Sequence, residues 1–428
     1  MIATTIILLL TLIGLSIPVA ASLGLLGLII DPLFSMLPLS RAIGEVSWST
    51  SNEFLLVAIP LFILLGEILL RTGFAGRMYD AMSLWLSWLP GGLMHANIGA
   101  SALFAATSGS SVATAATVGT VALPQISRHK YNEPLFLGSL AAGGTLGILI
   151  PPSINLIIYG VLTSTSVPKL YLAGFIPGLV LAATFMLVIA IACLIKPTWG
   201  GPAIKASWRA RFASLIDLLP PLGLFLLVVG SIYAGVATAT EAAALGVMGA
   251  LVLAAFAKRL TVTMLREAIE GTMRSTVMII LIVMAAAFLS FVMSATGLTT
   301  ALTNSVIDLN LSPAWMLLIV VIFYLVLGCL METLSMMITT IPIIAPIMIA
   351  LGYDPVWLGI VIIVLVETAL ITPPVGLNLF VVQSLRKGGS LNAVIIGSLP
   401  FVAALMFMVL LLYIVPDLAM WLPRKFGD

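Results

Sequence analysis

Apolar stretches long enough to cross a bilayer recur from one end of this sequence to the other. A spanning helix needs roughly 17 to 25 predominantly apolar residues. Such runs lie near 2–30, 54–71, 134–163, 170–195, 214–234, 240–257, 275–296, 356–386 and 392–415. The chain has too little polar material to cover itself in water: 8% of its 428 residues are charged and 61% are hydrophobic, whereas a soluble domain carries about 25% charged residues. Lipid is therefore its solvent, and the fold class is an all-α polytopic membrane protein. The run at 2–30 lacks the basic start of a signal peptide, is too long for one and precedes further spans, so it reads as a first transmembrane helix.

Lysine and arginine favour cytoplasmic loops. The segment 196–211 carries Lys196, Lys205, Arg209 and Arg211, and 258–274 carries Lys258, Arg259, Arg266 and Arg274. Both segments are placed inside, which sets the N-terminus in the cytoplasm and the C-terminus outside after nine crossings. Residues 91–127 and 313–350 are apolar but interrupted midway, by Ser108, Gly109, Ser110, Ser111 and Thr114 in the first and by Gly328, Glu332, Thr333 and Ser335 in the second. Each must begin and end on one side, as a re-entrant helical hairpin. Irregular backbone at membrane depth is tolerated where protein buries it or where it lines a cavity.

A shift of about 222 residues superposes the two halves. Pro124 falls on Pro346, Tyr131 on Tyr353, Pro151 and Pro152 on Pro373 and Pro374, and Ser110 on Glu332. The amphipathic connector 36–52 matches 258–274, and the helix 214–234 stands between the halves. That odd helix inverts the second half, giving the inverted repeat many secondary transporters use.

Each half has a span broken by a proline pair, GGTLGILIPPSIN at 143–155 and ETALITPPVGLN at 367–378. Proline cannot donate a backbone hydrogen bond and clashes with the carbonyl one turn back. The freed carbonyls suit Na⁺ and the exposed half-helix N-termini suit anions. Thr145, Ser153 and Asn155 flank one break, and Thr368, Thr372, Gly376 and Asn378 flank the other. Glu332 and Glu367 are the carboxylates expected deep in the second half, where a charge marks an ion path or a buried pairing. Glu67 and Glu241, nearer span ends, read as interfacial or packing residues. No arginine or lysine is expected midway across, so an anion would rest on helix N-termini, hydroxyls and bound Na⁺.

Other chemistries find little support. Cys193 and Cys329 lie in separate spans without ligand spacing, and His95 and His129 stand alone. Neither a phosphate-binding GxxxxGK[ST] loop nor a hydrolytic triad is present, which argues against an ATP-driven pump or an intramembrane enzyme.

Four motifs together carry a resemblance: SGSSVATAATVGTVALP, GGTLGILIPPSINLIIYG, the hairpin beginning at Met331 with Pro342 and Pro346, and TPPVGLNLFVV. In order and over essentially the whole chain, they resemble the DctM-type large membrane subunit of TRAP (tripartite ATP-independent periplasmic) transporters. The resemblance implies a sodium-driven elevator in the bacterial inner membrane, acting with a small four-helix membrane subunit and a periplasmic substrate-binding protein. Scaffold elements would occupy 1–90, 164–312 and 387–428, and a transport domain 91–163 and 313–386. The implied substrate contacts are Ser108, Gly109, Ser110, Ser111, Thr114, Ser153, Asn155, Thr333 and Asn378. The implied Na⁺ ligands are Ser110, Gly144, Thr145, Pro151, Gly328, Glu332, Thr333, Thr368, Thr372, Pro373 and Gly376. The expected cargo is a small organic acid, sialic acid ahead of a C4-dicarboxylate because no basic pocket for two carboxylates is visible. The alternative is a stand-alone sodium/organic-anion symporter that needs no binding protein.

Overall fold

The computed structural model describes the chain except Met36, 203–205, 309–310, 329–330, Val375, Lys387 and Asp428, together with the side chains of Ile6, Ile13, Ser127 and 306–308. Lys205 and Cys329, singled out above, lie outside the described residues.

Among the described residues every regular element is helical. The first half contains α1 (Ile2–Gly14), α2 (Val19–Phe34), α3 (Ile43–Ser51), α4 (Ala58–Thr72), α5 (Phe74–Leu86), α6 (Leu93–Ser108), α7 (Ser111–His129), α8 (Glu133–Leu149), α9 (Ile154–Thr163) and α10 (Val167–Ile195). After α11 (Trp208–Tyr233) the second half repeats the order. It runs α12 (Ala239–Phe256), α13 (Val262–Ala295), α14 (Leu298–Asp308), α15 (Pro313–Gly328), α16 (Thr333–Ala350), α17 (Pro355–Ile371), α18 (Leu377–Ser384), α19 (Leu391–Ile414) and α20 (Asp417–Phe426). Among the described residues, seven helices are long and apolar enough to cross a membrane, or eight if α8 and α9, bent by 43° at their break, count as one span. The chain is a multi-pass membrane protein.

Local chemistry explains the boundaries. Asn132 caps α8 through the Leu135 amide, Asp354 caps α17 through Val356 and Trp357, and Thr238 with Glu241 forms a reciprocal capping box on α12. Such caps satisfy amides that have no partner within the helix. Glu241 is thus a helix-start residue. The hairpin α6–α7 turns at Gly109, whose φ of +61° a side chain rarely adopts.

Two bodies emerge from the packing. In one, α2 lies along α13, α12 along α4, and α4 and α13 cross between them. Each half lends a helix to the other's long span, the arrangement expected of a two-fold repeat. In the other body, α8 and α17 form the centre. Every residue of α8 from Leu135 and of α17 from Val356 is buried, as expected for helices that are apolar all round. The two hairpins, α6–α7 and α15–α16, pack around them with α9 and α18.

Three expectations change. Residues 2–30 form two helices, parted by a turn at Ser16 (φ +58°) and Pro18. The connector 258–274 is no separate element: it continues without a break into α13, whose 34 residues extend about 50 Å. Finally, α10 and α19, expected among the scaffold helices, pack on α8 and α17. The reason is close backbone contact, since a β-carbon added to Gly138 of α8 would strike the Gly397 carbonyl of α19. Small residues allow such approach in lipid.

Candidate functional site

The tip of the first hairpin, at Gly109 and Ser110, is held by glycines. A β-carbon on Gly147 of α8 would lie 2.5 Å from the Ser110 carbonyl oxygen, and one on Gly109 would lie 2.8 Å from the Pro152 carbonyl oxygen. On the opposite side, a β-carbon on Gly66 of α4 would come within 3.1 Å of the Ser108 carbonyl oxygen. The tip is therefore wedged between the broken helix and α4, with no room for side chains at these points.

Hydroxyl bookkeeping shows what each group offers. Thr114 donates to the Ser110 carbonyl at 2.7 Å, so the Ser108 hydroxyl, 3.1 Å from Thr114 Oγ1, gives its proton to Thr114. Ser110 Oγ accepts from the Ala113 amide at 3.4 Å and keeps its own proton to donate. Ser153 caps α9 through the Leu156 amide and donates to the Ile148 carbonyl at 2.5 Å across the proline break. The tip thus presents a hydroxyl donor beside the first turns of α7 and α9, a setting that favours an anion.

Thr145, Thr368 and Thr372 differ. Each donates to a backbone carbonyl of its own helix, Ala142, Val364 and Thr368 respectively, at 2.6–2.8 Å. What they turn outward is lone pairs, which suit a cation.

Asn378, from the second half, crosses to α8, where its Nδ2 donates to the Ala141 carbonyl at 3.1 Å. A β-carbon on Gly144 would meet that Nδ2 at 2.8 Å and the Ser111 carbonyl oxygen at 3.2 Å. Ser111 Oγ lies 3.5 Å from the Thr145 carbonyl. Gly144, Thr145, Ser111 and Asn378 therefore gather in one place, although they come from three helices of both halves. Asn378 Oδ1 is buried there with no hydrogen-bond partner among the described residues. Orphaned amide and carbonyl oxygens of this kind fit a hard cation.

In the second half, the Glu332 carboxylate takes the Thr333 hydroxyl at 3.0 Å and the Ser335 amide at 3.1 Å. It caps α16 just as Ser110 caps α7. Gly328 packs directly on Ala369 of α17, and Gly376, at φ +21°, follows the Pro373–Pro374 break. Glu367 is fully buried in α17, with neither carboxylate oxygen hydrogen-bonded among the described residues, and Asn155 Nδ2 is likewise without a partner.

The two tips meet at one cavity of about 160 Å³. Ser108 and Ser110 of the first hairpin, Ile154 at the start of α9 and Leu334 at the start of α16 form one wall. Glu67 of α4 and Ser275 of α13 also line it, on the side of the body built on those helices. Glu67 was assigned a packing role from sequence. Its visible signal was the pairing with Arg71 four residues on, inside an otherwise apolar span. Ser275 carried no signal of its own.

The chain matches the family described as "Tripartite ATP-independent periplasmic transporter, DctM component" over residues 6–418. It is 37% identical to the C4-dicarboxylate TRAP transporter large permease protein DctM of Pseudomonas aeruginosa, over 95% of this chain and 94% of that protein. It is 31% identical to the sialic acid TRAP transporter large permease protein SiaM of Vibrio cholerae, over 88% and 87%. The ectoine TRAP transporter large permease protein TeaC of Halomonas elongata is 30% identical over 86% of each. In fold, the chain resembles the crystal structure of the Alcanivorax borkumensis YdaH transporter, with a TM-score of 0.61, 15% identity, and coverage of 97% and 98%. These relatives are permeases rather than enzymes, and with their full-length correspondence the chain belongs to the DctM component family, the large permease subunits of TRAP transporters.

Proposed function

We propose that this permease imports a small organic acid together with Na⁺, by sliding the body built on α8 and α17 against the body built on α4 and α13. The observation that carries the reading is the cavity between the bodies, walled by the Ser108–Ser110 tip and the start of α9. Donor hydroxyls and first-turn amides supply the anion's partners without a buried cation. The oxygen-rich surroundings of Gly144, Thr145 and Asn378 in one half, and of Thr368, Thr372, Gly376 and Glu367 in the other, would take the Na⁺ ions. Joint occupation would order the tips, and coupling follows if ion and acid favour the same state.

The small cavity and the C4-dicarboxylate name of the Pseudomonas relative favour a compact acid over a sugar acid such as sialic acid. Selection would rest mainly with a periplasmic binding protein, and a small four-helix membrane subunit would complete the complex in the inner membrane. The basic segments 196–211 and 258–274 orient the chain with these on the cytoplasmic side and α20 on the periplasmic side. The two hairpins would then be re-entrant, α6–α7 from the cytoplasm and α15–α16 from the periplasm. On this orientation the first tip, which meets α4 at Gly66, would lie toward the cytoplasmic end of that helix, the end that carries Arg71.

The test is uptake into proteoliposomes holding the permease with both partner proteins, under an imposed inward Na⁺ gradient. Uptake should follow the gradient and vanish when K⁺ replaces Na⁺. Undiminished uptake in K⁺ would sink the coupling.

A further inference from the structure

The cavity between the bodies has one feature that a simple anion site would not have. Its scaffold wall carries a carboxylate, Glu67, opposite a wall suited to hold a carboxylate. Glu67 binds Arg71 through Oε2. Arg71 also lies 3.4 Å from the Glu267 carboxylate and donates to its backbone carbonyl at 3.3 Å. The guanidinium is thus shared between two carboxylates. Oε1 of Glu67 accepts no hydrogen bond among the described residues. α13 closes on this group without a side chain in the way: a β-carbon at Gly271 would lie 2.8 Å from Glu67 Oε2 and 3.1 Å from Oε1. The carboxylate is therefore fixed in position at the cavity edge rather than free to turn away.

A ligand that carried carboxylates and nothing else would set like charge against Glu67 and leave Oε1 unpaired. A ligand with a hydroxyl or ammonium on its backbone would satisfy both walls: its carboxylate at Ser110 and the first turns of α7 and α9, its donor at Glu67. Hydrogen bonds to charged groups in partly desolvated sites discriminate strongly, because the site's own polar group is left without a partner when the wrong ligand binds.

We propose that Glu67 is a specificity-determining residue, and that the permease prefers small carboxylic acids bearing a hydroxyl or ammonium donor over plain carboxylic acids of the same size. This rests on the organic-acid reading above and narrows its substrate class.

The experiment reads the cavity from the cytoplasmic side, where the binding protein's own selectivity does not enter. Proteoliposomes with the complete transporter are loaded inside with succinate, malate or aspartate, which differ by a hydrogen, a hydroxyl or an ammonium on one carbon. Each internal acid is scored for the concentration that halves Na⁺-driven uptake of the acid carried by the cognate binding protein. Malate and aspartate should inhibit at about tenfold lower concentration than succinate. In Glu67→Gln, where Arg71 retains Glu267, that advantage should disappear, with succinate inhibiting at least as well as in the unmodified protein. Glu67→Asp, which keeps the charge but withdraws the oxygen, should fall between them and gives a second route if the first variant folds poorly. Equal inhibition by the three acids in the unmodified protein, or an equal loss for all three in Glu67→Gln, would overturn the proposal and leave Glu67 as a packing ion pair. If the unmodified transporter shows no Na⁺-driven uptake at all, it is the organic-acid reading itself that fails.

Discussion

The two halves of this chain share a backbone plan and differ in charge at equivalent places. Where the first hairpin is capped by the hydroxyl of Ser110, the second is capped by the carboxylate of Glu332. Where the first broken helix has Thr145, the second has Glu367, each 222 residues on. A neutral cap leaves the positive end of α7 available to a bound anion, while a carboxylate cap already satisfies α16. The repeat therefore supplies two similar frames that differ in their polar groups: the first keeps hydroxyls at its tip and break, and the second carries carboxyl groups at both equivalent places. Outside the broken helices the frames diverge as well. α3 and α4 are parted by residues 52–57, whereas α13 runs unbroken through the same stretch of the repeat.

Exchanging the caps is the most direct way to break this comparison. Ser110→Glu should keep α7 capped, since Glu332 caps α16 from the equivalent position, yet put a fixed anion where the substrate's carboxylate would rest. Uptake should fall to background with the purified protein still monodisperse. The reverse change, Glu332→Ser, should retain more than about a tenth of uptake, because capping by a hydroxyl or a carboxylate differs by roughly 1 kcal/mol or less. Equal damage from both exchanges would mean that the tips are not divided by charge.

A smaller effect is expected from the glycine that seats the first tip. Gly147→Ala places a methyl against the Ser110 backbone at 2.5 Å, and overpacking of this kind costs about 1–3 kcal/mol. The tip should lift, raising the substrate concentration for half-maximal uptake by about tenfold at most of the normal maximal rate. An unchanged half-saturation value would show that the tip does not need this seat.

Least affected should be the ties that join the halves at their far ends. Tyr159 of α9 donates to the Pro355 carbonyl at 2.7 Å, and Arg386, after α18, pairs with Glu133 at the start of α8. Pro355 and Glu133 are equivalent positions of the repeat, and one is held by a neutral contact, the other by a charged one. Tyr159→Phe should lower stability by about 1 kcal/mol. Glu133→Gln should lower it by about 1 kcal/mol or less, and only this second loss should shrink with added salt. Thermal unfolding of the purified permease at two ionic strengths would distinguish them.

Much of the architecture was legible because its causes are local. Apolar runs mark the spans, paired prolines mark the breaks, and the small polar tips at 108–114 and 328–335 mark the hairpin turns. Each of these acts through neighbours in the chain, so periodicity and composition report them. The gathering of Gly144, Ser111 and Asn378 was half legible: all three residues stood out, but their meeting did not, because Asn378 reaches it from 234 positions beyond Gly144. Glu332 was picked out for its charge, while its use as a helix cap depends on the exact turn at Thr333–Ser335.

What the sequence by itself determined is a lipid-solvated helical protein in two related halves, each with one hairpin and one broken span. What only the tertiary structure decided is which helices belong together and which side chains face the shared cavity. Lipid solvates every apolar helix about equally well, so hydrophobicity cannot say which helices α10 and α19 pack on; backbone contacts such as Gly138 against Gly397 do. The same holds for Glu67. Its neighbours in the chain make it one charge of an ion pair in an apolar span, and only the approach of a hairpin from elsewhere in the fold makes it part of a wall that a substrate would touch.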